Sequence, residues 1–177
     1  NKTSLIDNGF TSCYTYIKIV KLRWENLMGL DHFFEMDLVF CLESDNQEQL
    51  FEEVAAILRK RNVVTDTYQS ALIEREKLFP TGLDMNFWGN NLPNVAIPHT
   101  DVDHSLDKKI VVVRLVKPVT FYNMISPNKE VIVSWVFFII NNSNSSQIDI
   151  LSQLMDFFTG NGHLEDLSKL TTPEGIY

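Results

Sequence analysis

Two apolar runs, Ile110–Val116 and Val131–Ile140, constrain the fold of this chain more than any other feature. A strand with one face in water alternates apolar and polar residues, whereas these runs are nearly continuous, so both of their faces must be covered. Helices therefore have to pack on the sheet from two sides, which makes a layered sandwich. The longer run falls far short of the roughly 20 residues of a bilayer-spanning helix and reads as a buried strand. With 45% hydrophobic and 21% charged residues over 177 positions, the chain has enough apolar side chains for one core and is too apolar to stay disordered.

The remaining elements follow from pattern and punctuation. A strand is expected at Met36 to Leu42, then a helix opening at Asp45 with Glu48 completing a capping box. Leu50, Val54, Ile57 and Leu58 form the apolar stripe of that helix. A second helix is expected from Thr67 to Leu78, burying Tyr68, Ala71 and Leu72, until Pro80-Thr81-Gly82 breaks it. Leu83 to Asn94 reads as a loop. Val95 to Pro98 reads as a short extended segment, because a residue before proline is pushed out of helical geometry. Beyond the polar stretch Asn141 to Ser146, Ile148, Leu151, Met155 and Phe158 recur at helical spacing until Gly160. Leu164, Leu167 and Leu170 predict one more short helix. The order of strand, two helices, several strands and then helices defines an α+β fold with a mixed β-sheet sandwiched between helices.

Residues 1–27 lack a clean period and open without methionine, which reads as a fragment or leader, with Met28 a candidate native start. The rival reading makes Tyr14 to Leu22 an added strand, since it alternates. The domain itself is taken as residues 28–177, with a C-terminus that looks truncated or frayed after Thr172-Pro173-Glu174.

The balance of 15 basic and 23 acidic residues, a net charge of -8, and the lack of a basic stripe argue against nucleic acid as a partner. Cys13 and Cys41 are too few and too isolated for a zinc cage or a small disulfide framework, so a reducing cytoplasm is the simplest setting. The hydrolase elbow, the Walker loop and the dinucleotide turn are all missing, which removes an ATP-using kinase.

Asn94-Val95-Ala96-Ile97-Pro98-His99-Thr100 is the stretch richest in chemical meaning. A histidine after proline at a strand end sits on a rigid backbone with its ring free to turn outward. On these residues alone it is a nucleophile, a general base, a metal ligand or a surface residue, the last being commonest. Asp101, Asp103 and His104 extend the metal reading, which is the weaker one because His104 falls off the alternation of an extended segment. His32 and His163 have no partner pattern.

Several stretches taken in order carry a resemblance: Glu74-Arg75-Glu76, Phe79-Pro80-Thr81-Gly82, Val95-Ala96-Ile97-Pro98-His99, the apolar strands and the helix at Gln147. From about Met28 to Leu170 the chain resembles the enzyme IIA domains of the bacterial sugar phosphotransferase system, in the fructose/mannitol structural class and nearest the galactitol type. The resemblance implies that His99 accepts a phosphoryl group from the phosphocarrier protein HPr and passes it to a cysteine of a partner IIB domain. Arg75 then corresponds to the arginine that steadies the phosphate. Gln147 stands where mannitol-type members carry a second histidine, a departure shared with galactitol-type proteins. No cofactor or metal is called for, the location is cytoplasmic, and contact with a membrane IIC component would run through IIB. The rival reading within the same fold is a regulatory module phosphorylated on His99 within or beside a transcriptional regulator. A binding-only module like the cytoplasmic domain of anion exchangers is disfavoured by the intact Ala-Ile-Pro-His segment. Phe87 and Trp88, in a loop longer than the family's usual connection, are candidates for partner contact or for a tucked satellite cluster.

Overall fold

The computed structural model describes residues 33–89, 92–160 and 164–165. Strand β1 (Phe34–Leu42) leads into helices α1 (Gln47–Lys60) and α2 (Tyr68–Leu78). Two short strands follow, β2 (Gly82–Leu83) and β3 (Val95–Ala96), then the long strands β4 (Lys109–Tyr122) and β5 (Glu130–Ile140) and helix α3 (Gln147–Thr159). The five strands form one sheet in the order β1-β4-β5-β3-β2. β1 runs parallel to β4, β4 antiparallel to β5, β5 parallel to β3, and β3 antiparallel to β2. The sheet is mixed and lies between helices, as the sequence predicts.

The central strands alternate between two cores. Val111, Val113, Val136, Phe138 and Ile140 meet Leu50, Phe51, Val54, Leu58, Tyr68 and Leu72 from α1 and α2. Ile110, Val112, Trp135, Phe137 and Ile139 join Ile150, Leu154, Phe157 and Phe158 from α3. Edge-to-face rings knit each side, Phe51 against Phe121 and Phe138 on one, Phe137 against Phe157 and Phe158 on the other. Burial on both faces stops partway along the hairpin. Val119, Phe121, Val131 and Val133 remain buried, while Tyr122 and Ile132 on the other face are exposed. A register break between Arg114 and Val119 marks the change, and Pro118, which cannot donate a ladder bond, lies within it.

Three sequence expectations shift. The first helix is capped by Asn46, whose side chain accepts from the Gln49 amide at 2.8 Å, while the Asp45 amide donates to Gln49 Oε1 at 2.9 Å. The cap is thus Asn46, one residue later than Asp45, and Gln49 in place of Glu48 reaches back, to the Asp45 amide just before the cap rather than to the cap's own amide. In α2 Ala71 is only partly buried, and Glu76 takes a buried place instead. In α3 the buried stripe is Ile150, Leu154, Phe157 and Phe158, and Ile148 is 79% exposed. Leu151 and Met155 border that core from the side, so the helix is rotated toward its two adjacent phenylalanines, which carry the most apolar area.

Cys41 in β1 is disulfide-bonded, contrary to the reading of two isolated cysteines. The alternatives for residues 1–27, including a strand at Tyr14 to Leu22, lie outside the described residues, as do Leu167, Leu170 and Thr172 to Glu174. Leu164 is buried against the α3 side. Among the described residues no helix is long and apolar enough to cross a membrane.

Candidate phosphoryl-transfer site

The β2–β3 pair places the site. Gly82 pairs with Ala96 and Leu83 with Val95 in a two-rung antiparallel ladder, so the Phe79-Pro80-Thr81-Gly82 turn lies against the strand that delivers His99. The expected loop Leu83 to Asn94 is therefore a hairpin connection that carries a short 3-10 helix over Met85–Phe87. Met85, at the start of that helix, is buried, and its amide donates to Asn94 Oδ1 at 3.0 Å. Trp88 is 59% exposed, and the side chain of Phe87 lies outside the described part.

Glycine is required at position 82. A Cβ there would stand 2.6 Å from the Tyr122 carbonyl oxygen and 3.2 Å from Phe121 Cβ, and the Gly82 carbonyl accepts from the Met124 amide at 2.8 Å. Since the clash is with backbone, Gly82→Ala is expected to lower stability by about 1–3 kcal/mol, the usual cost of overpacking, in urea unfolding followed by circular dichroism.

His99 forms an isolated parallel bridge with Ile139, with the Ile139 amide donating to the Pro98 carbonyl at 3.1 Å. The backbone around the ring is thus tied to the central strand. Nδ1 lies 2.8 Å from the Ile97 carbonyl oxygen. A carbonyl only accepts, so Nδ1 carries the hydrogen, and in the neutral ring Nε2 keeps its lone pair. Burial holds the imidazole below its usual pKa, with the nearby Arg75 charge acting in the same direction, while the Ile97 bond and Asp101 oppose them. The neutral, nucleophilic form is the one favoured.

Arg75, in the last turn of α2, donates from Nη1 to Asp101 Oδ1 at 3.0 Å, and its guanidinium carbon stands 5.3 Å from the centre of the Phe79 ring. Its Nε is buried without a partner. The cation thus approaches the His99 segment from α2, held at one corner by an aspartate that is itself 77% exposed.

Gln147 opens α3 just beyond the strand that bridges to His99. Its Oε1 accepts from Asn141 Nδ2 at 2.8 Å, which orients the amide, and its buried Nε2 has no partner. His104 lies apart from this cluster: its Nδ1 is 2.8 Å from the Thr67 hydroxyl and its carbonyl accepts from the Thr65 amide. With Asp101 turned to Arg75 and His104 to Thr67, the stretch 99–104 does not converge, and among the described residues no three metal-type ligands gather.

Glu76 is the residue that pattern reading missed. It is 5% exposed, and its carboxylate accepts from the Thr81 amide at 2.8 Å and from the Thr81 hydroxyl at 3.0 and 2.8 Å. Burial pushes its pKa up to about 7, against the two Thr81 hydrogen bonds and the Arg75 charge. The signal was in the sequence, since Tyr68, Leu72 and Glu76 are spaced by four and share one helix face.

A neutral His99 ring, Arg75 close enough for its charge to lower the His99 pKa, and the buried Glu76 carboxylate under the adjoining turn are thus brought to one end of a mixed-sheet sandwich. The profile of the family described as phosphoenolpyruvate-dependent sugar phosphotransferase system, EIIA 2, matches residues 32–177, and the chain belongs to that family. Its members are phosphoryl-transfer domains of sugar phosphotransferase systems. Among solved structures, the mannitol-specific cryptic phosphotransferase enzyme IIA of Escherichia coli is similar, with TM-score 0.61 and 16% identity over 82% of this chain and 91% of that one. The mannitol enzyme IIA of E. coli, solved in complex with phosphorylated enzyme IIB, gives TM-score 0.59 and 21% identity over 81% and 94%. The nitrogen regulatory protein IIA-Ntr of Neisseria meningitidis gives 0.52 and 21% over 80% and 97%. At these identities the likeness is one of fold. No curated protein sequence matches.

Proposed function

We propose that the chain is a phosphoryl carrier of a sugar phosphotransferase system, working through residues 28–177, with His99 Nε2 as the atom that carries the group. The observation that supports this most is the Nδ1–H donated to the Ile97 carbonyl, which leaves the Nε2 lone pair on a neutral ring. In the first step that pair attacks the phosphorus of phospho-HPr. A new N–P bond forms at Nε2, the N–P bond of the donor breaks, and the donor histidine keeps the electron pair. In the second step a thiolate of IIB attacks the same phosphorus, forming an S–P bond and returning the pair to Nε2.

Arg75 supplies a guanidinium for the oxygens of the group in flight, where charge is spread and forked donors act best. Gln147 turns its free amide nitrogen to the same work. It cannot carry the positive charge of a second histidine, and this departure is what favours a galactitol-type system over a mannitol-type one.

The test is incubation with enzyme I, HPr and phosphoenolpyruvate, followed by intact mass and acid-lability measurements. One acid-labile phosphate is expected on the wild-type protein and none on His99→Ala. Wild type left unmodified while HPr is charged would sink the carrier reading. Uptake of phosphate with no transfer to a galactitol-type IIB would instead point to a regulatory module.

A further inference from the structure

We infer that Glu76 is a positioning residue for the transfer reaction, setting the ring tautomer of His99 through Thr81 and Ile97; this rests on the carrier reading above. The connection is a continuous set of hydrogen bonds through three residues. The Glu76 carboxylate takes both the amide and the hydroxyl of Thr81. The Thr81 carbonyl accepts from the Ile97 amide at 3.2 Å. The Ile97 carbonyl accepts from His99 Nδ1 at 2.8 Å.

Each link is directional. Residue 97 is held at its N–H by the turn and presents its carbonyl, on the next peptide group, to the ring, so a displaced Thr81 would move the acceptor that keeps hydrogen on Nδ1. A buried carboxylate is costly unless it does something an apolar residue cannot, and here an apolar residue would leave the Thr81 amide and hydroxyl without their acceptor. A purely structural cap would satisfy Thr81 equally well anywhere in the fold. At this position the turn it secures is the one laid against the segment that carries His99.

The experiment is long-range 15N NMR of the His99 ring in the unphosphorylated protein, at a pH where the ring is neutral, for wild type, Glu76→Ala, Glu76→Gln and Thr81→Val. Wild type is expected almost wholly as the Nδ1–H tautomer. Glu76→Ala should shift the population toward Nε2–H, the form with no lone pair on the reacting atom, and slow phosphoryl uptake from phospho-HPr by about 10- to 100-fold, the scale of a modest misplacement. Glu76→Gln keeps an acceptor for Thr81 and should restore the Nδ1–H tautomer. Thr81→Val keeps the amide bond but loses the hydroxyl bonds, and should fall between wild type and Glu76→Ala. An Nδ1–H population in Glu76→Ala equal to wild type, with only the melting temperature lowered, would overturn the inference. If Glu76→Ala does not fold, a wild-type tautomer in Thr81→Val would overturn it equally. Because the tautomer is read without any phosphate, failure of this inference is distinct from failure of the carrier reading, which shows only in the phosphorylation of wild type.

Discussion

Arg75→Ala is expected to slow phosphoryl uptake from phospho-HPr by about 10²- to 10³-fold while leaving the melting temperature near that of wild type. The rate effect follows from the charge of the group in flight, whose oxygens carry most of the transition-state charge and need fixed cationic donors. The small stability effect follows from the surroundings. The only ion pair of Arg75 among the described residues is to Asp101, which is 77% exposed, and such surface pairs add little to folding. Arg75→Lys should recover only part of the rate, because an ammonium cannot offer the forked geometry. The measurement is rapid-quench transfer from labelled phospho-HPr, beside thermal unfolding of each variant. A rate within a factor of two of wild type for Arg75→Ala would reduce this arginine to a solvated helix charge stacked on Phe79.

The second large effect is on stability as a function of pH, and it comes from Glu76. Its folded pKa is raised to about 7 by burial, so between the ordinary carboxylate range and 7 the folded protein holds a proton that the unfolded chain has released. The stability this group contributes is therefore fully present below the unfolded pKa and is lost as pH rises through the folded one. From the size of the shift the loss amounts to roughly 3 kcal/mol across that window. His99 works in the opposite sense: its lowered pKa makes stability fall as the solution becomes acidic enough to charge the ring. Urea unfolding of wild type and Glu76→Gln over the same pH series separates the two, because the variant keeps His99 and removes only the carboxyl. The variant should gain on wild type steadily as pH rises toward 7 and hold a constant advantage above it. A difference between the two that does not change with pH would show that Glu76 is not titrating in this range.

Taken together, these variants divide the site by role. In the proposed function His99 bears the group, Arg75 acts on its charge, and Glu76 acts at a distance through Thr81. The rate of Glu76→Gln should therefore depend on whether Thr81 keeps its acceptor, whereas no neutral replacement of Arg75 should recover transfer.

Much of this was legible before any coordinates. The apolar runs at Ile110–Val116 and Val131–Ile140 required a sheet covered on both faces, and the order of Arg75, the Phe-Pro-Thr-Gly turn and Ala-Ile-Pro-His identified the family. Those signals are local: a strand buried on both sides cannot alternate, and proline before His99 restricts its neighbour whatever the rest of the chain does. The rotation of α3 was not legible, because Ile148, Leu151 and Met155 are as apolar as the residues that win, and only the fold shows Phe157 and Phe158 turned onto Phe137. The one-sided end of the β4–β5 hairpin was hidden for a similar reason, since Ile132 looks like a core residue in sequence and only the fold leaves it 53% exposed.

The sequence by itself determined the layered α+β fold and the family, and it singled out the histidine to which the proposed function assigns the chemistry, because each is written in residues adjacent along the chain or in one repeating pattern. Tertiary structure decided which nitrogen of His99 keeps its lone pair, that Arg75 meets Asp101, and that Glu76 reaches His99 by way of Thr81 and Ile97. Those contacts join α2, the turn before β2 and the segment after β3. Hydrogen bonds and Coulomb forces act over a few ångströms, and the spacing of residues along a chain does not say which distant segments the fold will bring that close.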